Sequence, residues 1–375
     1  MSFPLASAFD DLPDPRRPTK NKLHTLTDVL TIAVCAIISG AEGWEQIAEY
    51  GRRKEAFFRR FLTLKNGIPS HDTFYNVLRA LDPDAFAQRF GAWMTAACQT
   101  TGLIPIAIDG KSARRAKRAN ATGCLHVVSA WATTNRLTLG QLVVPDGTNE
   151  IGVIPDLLRT LDLAGAIVTI DAAGCQVENA TIIREQEGHY LLAVKGNQPT
   201  LHEAVRAVFD RACETEFADV RCDRHESIED EHGRSEERYV TVIYDPLGLP
   251  ADWPDVAALV LVGREREVNG KNTSTAHYYL TSHAGTAAEL AQVIRGHWEI
   301  ENGLHWVLDV AFREDQSRTR DLNAGGNLAW LRRVAVSLLK RVKAKGSINT
   351  RRLMAAWDDT FLLQVLQEIP PAHSA

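Results

Sequence analysis

Two short apolar segments that each run straight into an aspartate constrain this chain more than any other feature. Residues 104–108 precede Asp109, and residues 166–170 precede Asp171. Apolar, β-branched runs of this length are typical of buried strands. An aspartate at the end of such a strand projects where the backbone leaves the sheet, and functional side chains favour that position. If the two strands are neighbours, the two carboxylates face each other.

The segments around these strands predict an α/β fold. Strand patterns occur at 104–108, 125–132, 137–144, 166–170 and 190–194, with a tight turn at Asn135-Arg136. Helical patterns occur at 154–163, at 177–187 and from 201 onwards. The order β-β-β-α-β-α-β-α predicts three antiparallel strands, followed by strands that enter through right-handed helical crossovers. This is the order of a ribonuclease-H-like mixed sheet.

The remaining patterns predict four parts along the chain. We expect an all-helical N-terminal domain (1–100), the first part of a catalytic core (101–218), a β-rich insertion (219–282) and helices that complete the core (283–375). In the first part, Ser70 is a predicted N-cap, so a helix-turn-helix or a plain helical hairpin fits. A basic cluster nearby favours DNA contact: Arg52, Arg53, Lys54, Arg59, Arg60 and Lys65. In the last part, 327–345 reads as a basic amphipathic helix.

Composition excludes several classes of protein. The six cysteines are scattered without the short spacings of a zinc site or disulfide framework, and the longest apolar run is too short to span a bilayer. We therefore expect a cytoplasmic protein that does not enter the membrane. The formal net charge of -5 does not indicate a polyanion partner, so any basic surface must be local.

A divalent cation would explain two facing carboxylates. Like charges at that separation repel unless a cation lies between them, and carboxylate oxygens suit Mg²⁺ or Mn²⁺. The alternative for each aspartate alone is an ordinary cap or turn residue at a strand end. The pair on neighbouring strands favours the metal site.

A third carboxylate is expected from the segment 295–306, which has a helical period. His297, Glu301 and His305 recur at steps of four and share one face, whereas Glu299 points away. Glu301 is therefore the predicted ligand. The paired histidines also allow a zinc site, but no third nitrogen or sulfur ligand accompanies them at a suitable spacing.

Cationic and amide side chains near the two strand ends are candidate phosphate ligands. Lys111, Arg114, Arg115, Lys117 and Arg118 follow Asp109 and are predicted to form a cationic loop along a DNA backbone. Lys195, Asn197 and Gln198 follow the strand at 190–194 and could bind phosphate oxygens. The alternatives are a solvated charge run and a polar loop with a left-handed turn at Gly196-Asn197.

These residues resemble the ISAs group of bacterial insertion-sequence DDE transposases, which includes the H-repeat-associated proteins. The resemblance covers nearly the whole chain. Its landmarks are Ala107 to Lys111, Val168 to Ala172 with Gln176, Leu192 to Gln198, His232-Gly233-Arg234, and His297 to Asp309 with Glu314-Asp315.

The resemblance implies that Asp109, Asp171 and Glu301 are the DDE triad and that residues 10–95 are the associated N-terminal domain. Two positions depart from the family pattern. A Lys-Ser-Asn-Glu run after the third strand is Gly147-Thr148-Asn149-Glu150 here. An arginine common in related transposases is His297, which we keep among the DNA-binding candidates. Glu150, on the first core helix, is the runner-up to Glu301 for the third carboxylate.

The expected activity is DNA cleavage and strand transfer with two Mg²⁺ or Mn²⁺ ions, without a covalent protein-DNA intermediate. Strand transfer rests on the resemblance, because hydrolysis uses the same ions. The expected partners are the element ends and target DNA, bound by a homodimer in association with the bacterial nucleoid. Two alternatives are a catalytically silent DNA-binding remnant and a nuclease that only hydrolyses.

Overall fold

The computed structural model describes residues 9, 12–18, 22–96, 98, 103–117, 123–231, 234–268 and 271–368. The chain divides into two compact units. The first, called here the helical unit, comprises Met1–Thr100, Gly110–Val153 and Ile300–Ala375. The second, called here the sheet unit, comprises Thr101–Asp109 and Ile154–Glu299. The landmark residues His232 and Gly233, and Arg118, lie outside the described residues.

The helical unit begins with the helices predicted for the N-terminal region. They are α1 (Leu26–Ile38), α2 (Trp44–Arg53), α3 (Glu55–Phe58), α4 (His71–Ala80) and α5 (Pro83–Ala96). Helix α1 is apolar and buried along nearly its whole length, and Thr25 caps it by accepting a hydrogen bond from the Asp28 N–H. Ser70 caps α4 through the Thr73 N–H, which confirms the predicted helix start.

Most of the basic cluster in this region is paired with acidic side chains. Arg52 and Arg53 both contact Glu49, at 2.7 Å each. Arg59 contacts Glu55 at 2.6 Å, and Lys54 contacts Asp359 at 2.7 Å. The local cationic excess is therefore smaller than the sequence suggests. DNA contact by this region stays a prediction.

The helical unit also contains two strands and the C-terminal helices. Strands β2 (Cys124–Ala132) and β3 (Leu137–Val143) pair antiparallel, and the hydrogen-bonded order is β3-β2-β1. Strand β1 (Ile104–Lys117) begins in the sheet unit and ends in this one. The helices that follow are α10 (Trp306–Val310), α11 (Leu322–Arg341), α12 (Ile348–Trp357) and α13 (Asp359–Gln367).

Helix α11 corrects the predicted basic amphipathic helix at 327–345. Asp321 caps it by accepting from the Ala324 N–H, so it starts five residues earlier than predicted. Arg332 and Arg333 are buried rather than solvated. Their burial is possible because Arg333 donates to Ser129 Oγ at 2.9 Å and to Glu314 Oε1 at 3.1 Å. The sequence period could not reveal these partners.

The sheet unit has the strand order β1-β4-β5-β9-β8-β7-β6. Strands β4 (Ala166–Ile170) and β5 (His189–Val194) are joined by helix α7 (Val177–Glu185), and β1, β4 and β5 are parallel. Three more helices belong to this region of the chain: α6 (Glu150–Thr160), α8 (Pro199–Glu214) and α9 (Ala287–Glu299). Apolar residues of α9, Leu290 and Val293 among them, pack on Ile167 and Leu191.

The predicted β-rich insertion extends this same sheet. Its strands are β6 (Cys222–Glu231), β7 (Arg234–Tyr244), β8 (Ala258–Val268) and β9 (Lys271–Thr281), all antiparallel to their neighbours. Strand β9 pairs antiparallel with β5. The topology confirms the ribonuclease-H-like α/β class with a mixed sheet, a β-rich insertion and a helical N-terminal region. No helix in the described part of the chain is long and apolar enough to cross a membrane.

Candidate active site

Asp109 and Asp171 lie at corresponding positions on two neighbouring parallel strands. The register pairs Ala107 with Thr169 and Ile108 with Ile170, so the next residue on each strand is one of the two aspartates. Side chains alternate between the faces of a sheet, and in-register parallel neighbours share a face. The sheet unit therefore places both carboxylates on the face that carries Thr169, as the sequence predicts.

The carboxylate of Asp171 is fixed by the turn that follows it. Its Oδ1 atom accepts hydrogen bonds from the N–H groups of Ala173 at 3.0 Å and Gly174 at 3.2 Å. The turn requires glycine at 174, because a Cβ there would lie 2.2 Å from Ile170 Cγ2. One oxygen thus holds the side chain in a single orientation, and the exposed residue can still offer Oδ2 to a cation.

Cys175 does not compete with Asp171 as an anionic ligand. Burial of the thiol, and to a smaller extent the nearby Asp171 carboxylate, raise the pKa of Cys175 to about 12. The sulfur therefore stays protonated near neutral pH. Oxygen ligands dominate this strand end, which suits a hard divalent ion rather than zinc.

The polar loop after β5 braces the turn that holds Asp171. Asn197 Nδ2 donates to the Ala172 carbonyl at 2.6 Å, and Gln198 Nε2 donates to the Cys175 carbonyl at 2.9 Å. Gly196 and Asn197 have no positive φ, so the alternative of a left-handed turn there is wrong. The two amides contact the backbone around Asp171, while Lys195 is exposed to solvent. Phosphate binding by these three residues stays a prediction.

The predicted cationic loop after Asp109 is instead a continuation of strand β1, which runs to Lys117. Lys111 is buried, and its Nζ lies 2.6 Å from Asp309 Oδ1. Two further carboxylates, Asp315 at 3.5 Å and Glu314 at 3.9 Å, surround the same ammonium group. An unpaired lysine cannot be buried cheaply, so these acids, about 200 residues away in sequence, account for the difference from the prediction.

Two of the predicted cations keep the exposed setting that DNA binding requires. Arg114 and Arg115 are exposed on β1, and Arg114 Nε lies 3.4 Å from Asp315 Oδ2. An exposed ion pair of this kind is weak and yields readily to a phosphate. The candidate phosphate contacts on β1 are therefore Arg114 and Arg115.

Glu150 lies beside the opposite face of β1. A Cβ on Gly110 would lie 2.2 Å from Glu150 Oε2 and 2.7 Å from His126 Nε2. Ser112 Oγ is 2.7 Å from His126 Nδ1, and His126 Nε2 is 3.3 Å from Glu150 Oε2. Because side chains alternate along a strand, Gly110 and Ser112 face Glu150, whereas Lys111 and Asp109 face the other way. No sequence motif marks His126.

Glu301 lies in a π-helical segment, Ile300–His305, directly after α9. The sequence predicted a regular α-helix here, and the π-helical turn corrects that expectation. That His297, Glu301 and His305 share one face stays a prediction. A π-helical turn contains an extra residue and rotates the side chains that follow, and such turns are frequent at functional sites. Glu301 is exposed, and so is Glu299, the last residue of α9.

His297 lies on α9 and contacts the strand that carries Asp171. Its Nδ1 atom is 2.9 Å from Thr169 Oγ1, and the buried Thr169 is two residues before Asp171 on the same face. No motif marks Thr169 as a separate candidate. Its position two residues from a strand-end aspartate was the available signal, because that spacing puts both side chains on one face.

No group of three or more histidine, cysteine, aspartate or glutamate side chains among the described residues is arranged to hold a metal ion. The two aspartates nevertheless fit such an ion by their chemistry. They are oxygen ligands at one strand edge, and Asp171 is held by backbone N–H groups that leave its second oxygen available.

Comparison with known proteins identifies the family. A model described as Transposase DDE domain matches residues 100–338, and one described as DDE_Tnp_1-associated matches residues 6–94. The chain is 44% identical over 284 residues to the "Uncharacterized protein in dhlA 3'region" of Xanthobacter autotrophicus, covering 73% of this chain and 93% of that one. It is 35% identical over 364 residues to "H repeat-associated putative transposase YhhI" of Escherichia coli (strain K12), covering 95% of each.

A shorter match, 44% identical over 66 residues, is to "Inactive transposase YbfQ" of Escherichia coli (strain K12), and it covers 18% of this chain and 77% of that protein. Membership of the family therefore does not by itself establish activity. The match of the domain model to more than half of the chain, and of YhhI to nearly all of it, does establish descent. The chain belongs to the DDE transposases of the H-repeat-associated type.

Proposed function

We propose that this protein cleaves DNA at the ends of an insertion sequence and joins those ends to target DNA. The observation that carries the proposal is the pair of aspartates at equivalent positions on adjacent parallel strands, with the face they share covered by helix α9. In a member of this family, such a pair is the expected core of a metal-dependent phosphoryl-transfer site.

Asp109, Asp171 and Glu301 would hold two Mg²⁺ or Mn²⁺ ions. When bound, the ions supply positive charge to the attacking oxygen and to the leaving oxygen of the phosphodiester. The residues of this chain fix the carboxylates: the Ala173 and Gly174 N–H groups hold Asp171, and the amides of Asn197 and Gln198 hold the turn that contains those groups.

Two transfers account for the proposed reaction. Water attacks a phosphorus atom at the element end, and the bond from that phosphorus to the 3′-oxygen breaks, which leaves a 3′-hydroxyl. That hydroxyl then attacks a phosphorus of the target DNA and displaces the target's own 3′-oxygen. Each step forms one P–O bond and breaks another, so no covalent protein-DNA intermediate is required.

Glu301 is preferred to Glu150 because of the two faces of β1. Glu150 adjoins Gly110 and His126 on one face. The segment that follows Glu301 contacts the other face, through the pair of Asp309 with Lys111. Lys111 shares that face with Asp109 by the alternation of side chains.

DNA is the proposed partner, with element ends and target bound by a homodimer, and the cytoplasm of a bacterium is the proposed compartment. Arg114, Arg115, Lys195 and His297 are the proposed phosphate contacts, together with Asn197 and Gln198 if their amides leave the loop when DNA binds. The exposed arginines are the strongest of these candidates.

The test is an in vitro assay with DNA that carries the sequences flanking the gene in its genome. With Mg²⁺, the wild-type protein should nick at the element ends and join them to a plasmid. Asp109→Asn, Asp171→Asn and Glu301→Gln should bind the same DNA but fail to cleave, because an amide keeps the shape and loses the charge that holds the ions. Glu299→Gln should stay near wild-type, and Glu150→Gln should show at most a partial defect.

Three outcomes would change the assignment. Cleavage that survives in both aspartate variants would refute the two-metal site. A wild-type protein that binds without cleaving would be a silent remnant, and one that cleaves without joining would be a nuclease. If Glu150→Gln failed to cleave DNA while Glu301→Gln cleaved it, the third carboxylate would be assigned to Glu150 on α6.

A further inference from the structure

Lys111 on β1 forms a short ion pair with Asp309 on α10. The Lys111 side chain is 7% exposed, and its Nζ lies 2.6 Å from Asp309 Oδ1. Asp315 and Glu314 lie within 4 Å of the same ammonium, and Arg333 in turn contacts Glu314. A lysine in this setting has three carboxylates around it and little access to solvent. It cannot also serve as a DNA phosphate contact without breaking these pairs.

Lys111 and Asp309 each lie close in sequence to a predicted metal ligand. Lys111 is two residues after Asp109 on β1, so the two side chains point to the same face. Asp309 lies on α10, the short helix that starts directly after the π-helical segment containing Glu301. The ion pair therefore fastens the helix that follows Glu301 to the part of β1 that lies in the same helical unit.

The ion pair matters because the segment between it and Glu301 is π-helical. A π-helical turn occurs mostly as a single turn inside a longer helix, so the helices at its two ends bear on its conformation. Helix α10 is only five residues long, and only Val307 and Leu308 are buried in it, so its own packing restrains it through two side chains. A buried charge pair supplies the missing restraint.

We propose that Lys111 is a positioning residue: through its buried ion pair with Asp309 it sets the placement of Glu301 for metal binding, and it does not contact DNA. This inference rests on the proposed function. It assigns to Lys111 a role opposite to that of Arg115, an exposed cation four residues further along the same strand.

The experiment compares Asp309→Asn and Lys111→Met with Arg115→Met in the full-length protein. Asp309 is 35% exposed, so Asp309→Asn is expected to fold even if Lys111→Met, which removes the buried ammonium group shared by three carboxylates, does not. Far-UV circular dichroism and urea unfolding establish which variants are folded. Each folded variant is then measured for Mn²⁺ affinity by calorimetry, for DNA binding as a function of salt, and for cleavage rate.

A positioning role predicts that the variants differ in which property they lose: Mn²⁺ affinity and cleavage rate, or DNA binding. Asp309→Asn and Lys111→Met should bind Mn²⁺ about tenfold more weakly and cleave about 10²-fold more slowly, the size of loss expected from a small misplacement of a reacting group. Their KM for DNA and their salt slope should match wild-type. Arg115→Met should do the reverse, with a salt slope lower by about one unit and unchanged Mn²⁺ affinity.

A double-mutant cycle completes the test. If the two residues act only through their pair, the double variant should lose no more Mn²⁺ affinity than either single variant. Unchanged Mn²⁺ affinity in a folded Asp309→Asn variant would overturn the proposal, and so would a salt slope in Lys111→Met that falls as it does in Arg115→Met. If wild-type protein binds Mn²⁺ with the predicted split but never cleaves DNA, the proposed function fails and the positioning role stands.

Discussion

Replacing Glu314 by Gln is expected to destabilise the helical unit by about 3–5 kcal/mol, the usual cost of removing one partner from a buried ion pair. Glu314 is buried, and its Oε1 lies 3.1 Å from Arg333 and 4.0 Å from Arg332. Its Oε2 lies 3.9 Å from Lys111. The Gln side chain keeps one oxygen that can accept from Arg333. Its NH₂ group replaces the oxygen near Lys111, so it either faces that cation or turns away from it.

The magnitude follows from these distances. With an effective dielectric constant near 20, each of the three attractions amounts to about 4–5 kcal/mol. Burying the charges costs several kcal/mol per ion, which offsets much of that gain. After Glu314→Gln, the burial cost of Arg332 and Arg333 remains while their counter-charge is gone. The net loss is therefore a large fraction of the 5–15 kcal/mol that stabilises a typical domain.

Urea unfolding followed by circular dichroism measures the effect. The matched control is Glu55→Gln, which breaks an exposed pair with Arg59 in the same unit and should cost about 0.3–0.5 kcal/mol. A loss below about 1 kcal/mol in Glu314→Gln, with unchanged m-value, would refute the reasoning. It would mean that water or repacking replaces the carboxylate.

The same carboxylate should give a characteristic pH dependence. Burial, the largest single effect, favours the neutral acid, but the charges of Arg333, Arg332, Lys111 and His305 together lower the pKa of Glu314 below its ordinary value of 4.5. A lowered folded pKa stabilises the fold above the unfolded pKa, and that contribution is lost as pH falls through the folded value. The stability difference between wild-type and Glu314→Gln should shrink below about pH 4.5 and be constant above it.

Three further predictions concern the proposed site. Changing Arg114 and Arg115 together to Ala should lower the salt slope of DNA binding by about two units, and an unchanged slope would make them a solvated face. Thr169→Val should alter the ring NMR signals of His297 and slow cleavage, whereas Thr169→Ser should restore both, because only the hydroxyl contacts Nδ1. Asn197→Ala should speed hydrogen exchange at the Gly174 amide, because it removes the hydrogen bond to the Ala172 carbonyl. An unchanged exchange rate would show that this hydrogen bond does not stabilise the turn.

Sequence patterns predicted the central strands well because their burial is local information. Strand β4 was predicted at its observed bounds, since an uninterrupted apolar run lies between Gly165 and Asp171. Strand β6 lacked that signal, because its residues alternate among charged types such as Asp223, Arg224 and Glu226. A strand near the end of a sheet can be this polar, and periodicity then shows nothing apolar to count.

Two errors in the predicted site have non-local causes. Asp109-Gly110-Lys111 looks like a chain leaving the sheet, yet β1 continues, because Asp309 and its neighbours neutralise Lys111. The helix that carries Glu301 has a regular period in sequence, yet contains a π-helical turn. Hydrophobic spacing cannot distinguish one extra residue in a turn from an ordinary helix, so only tertiary contacts decide it.

Thr169, which no motif marks as a separate candidate, and Lys111, which the sequence assigned to DNA binding, have the same relation to the two predicted aspartates. Thr169 is two residues before Asp171, and Lys111 is two residues after Asp109, so each lies on the same face of its strand as that aspartate. Each contacts the segment that leads into or out of the π-helical turn, Thr169 through His297 and Lys111 through Asp309. The alternation that places an aspartate at a strand edge thus also selects the side chains able to hold the surrounding helices. An assignment of site residues from such a strand should therefore weigh the positions two residues away, whatever their charge, as structural supports before treating them as ligands for the substrate.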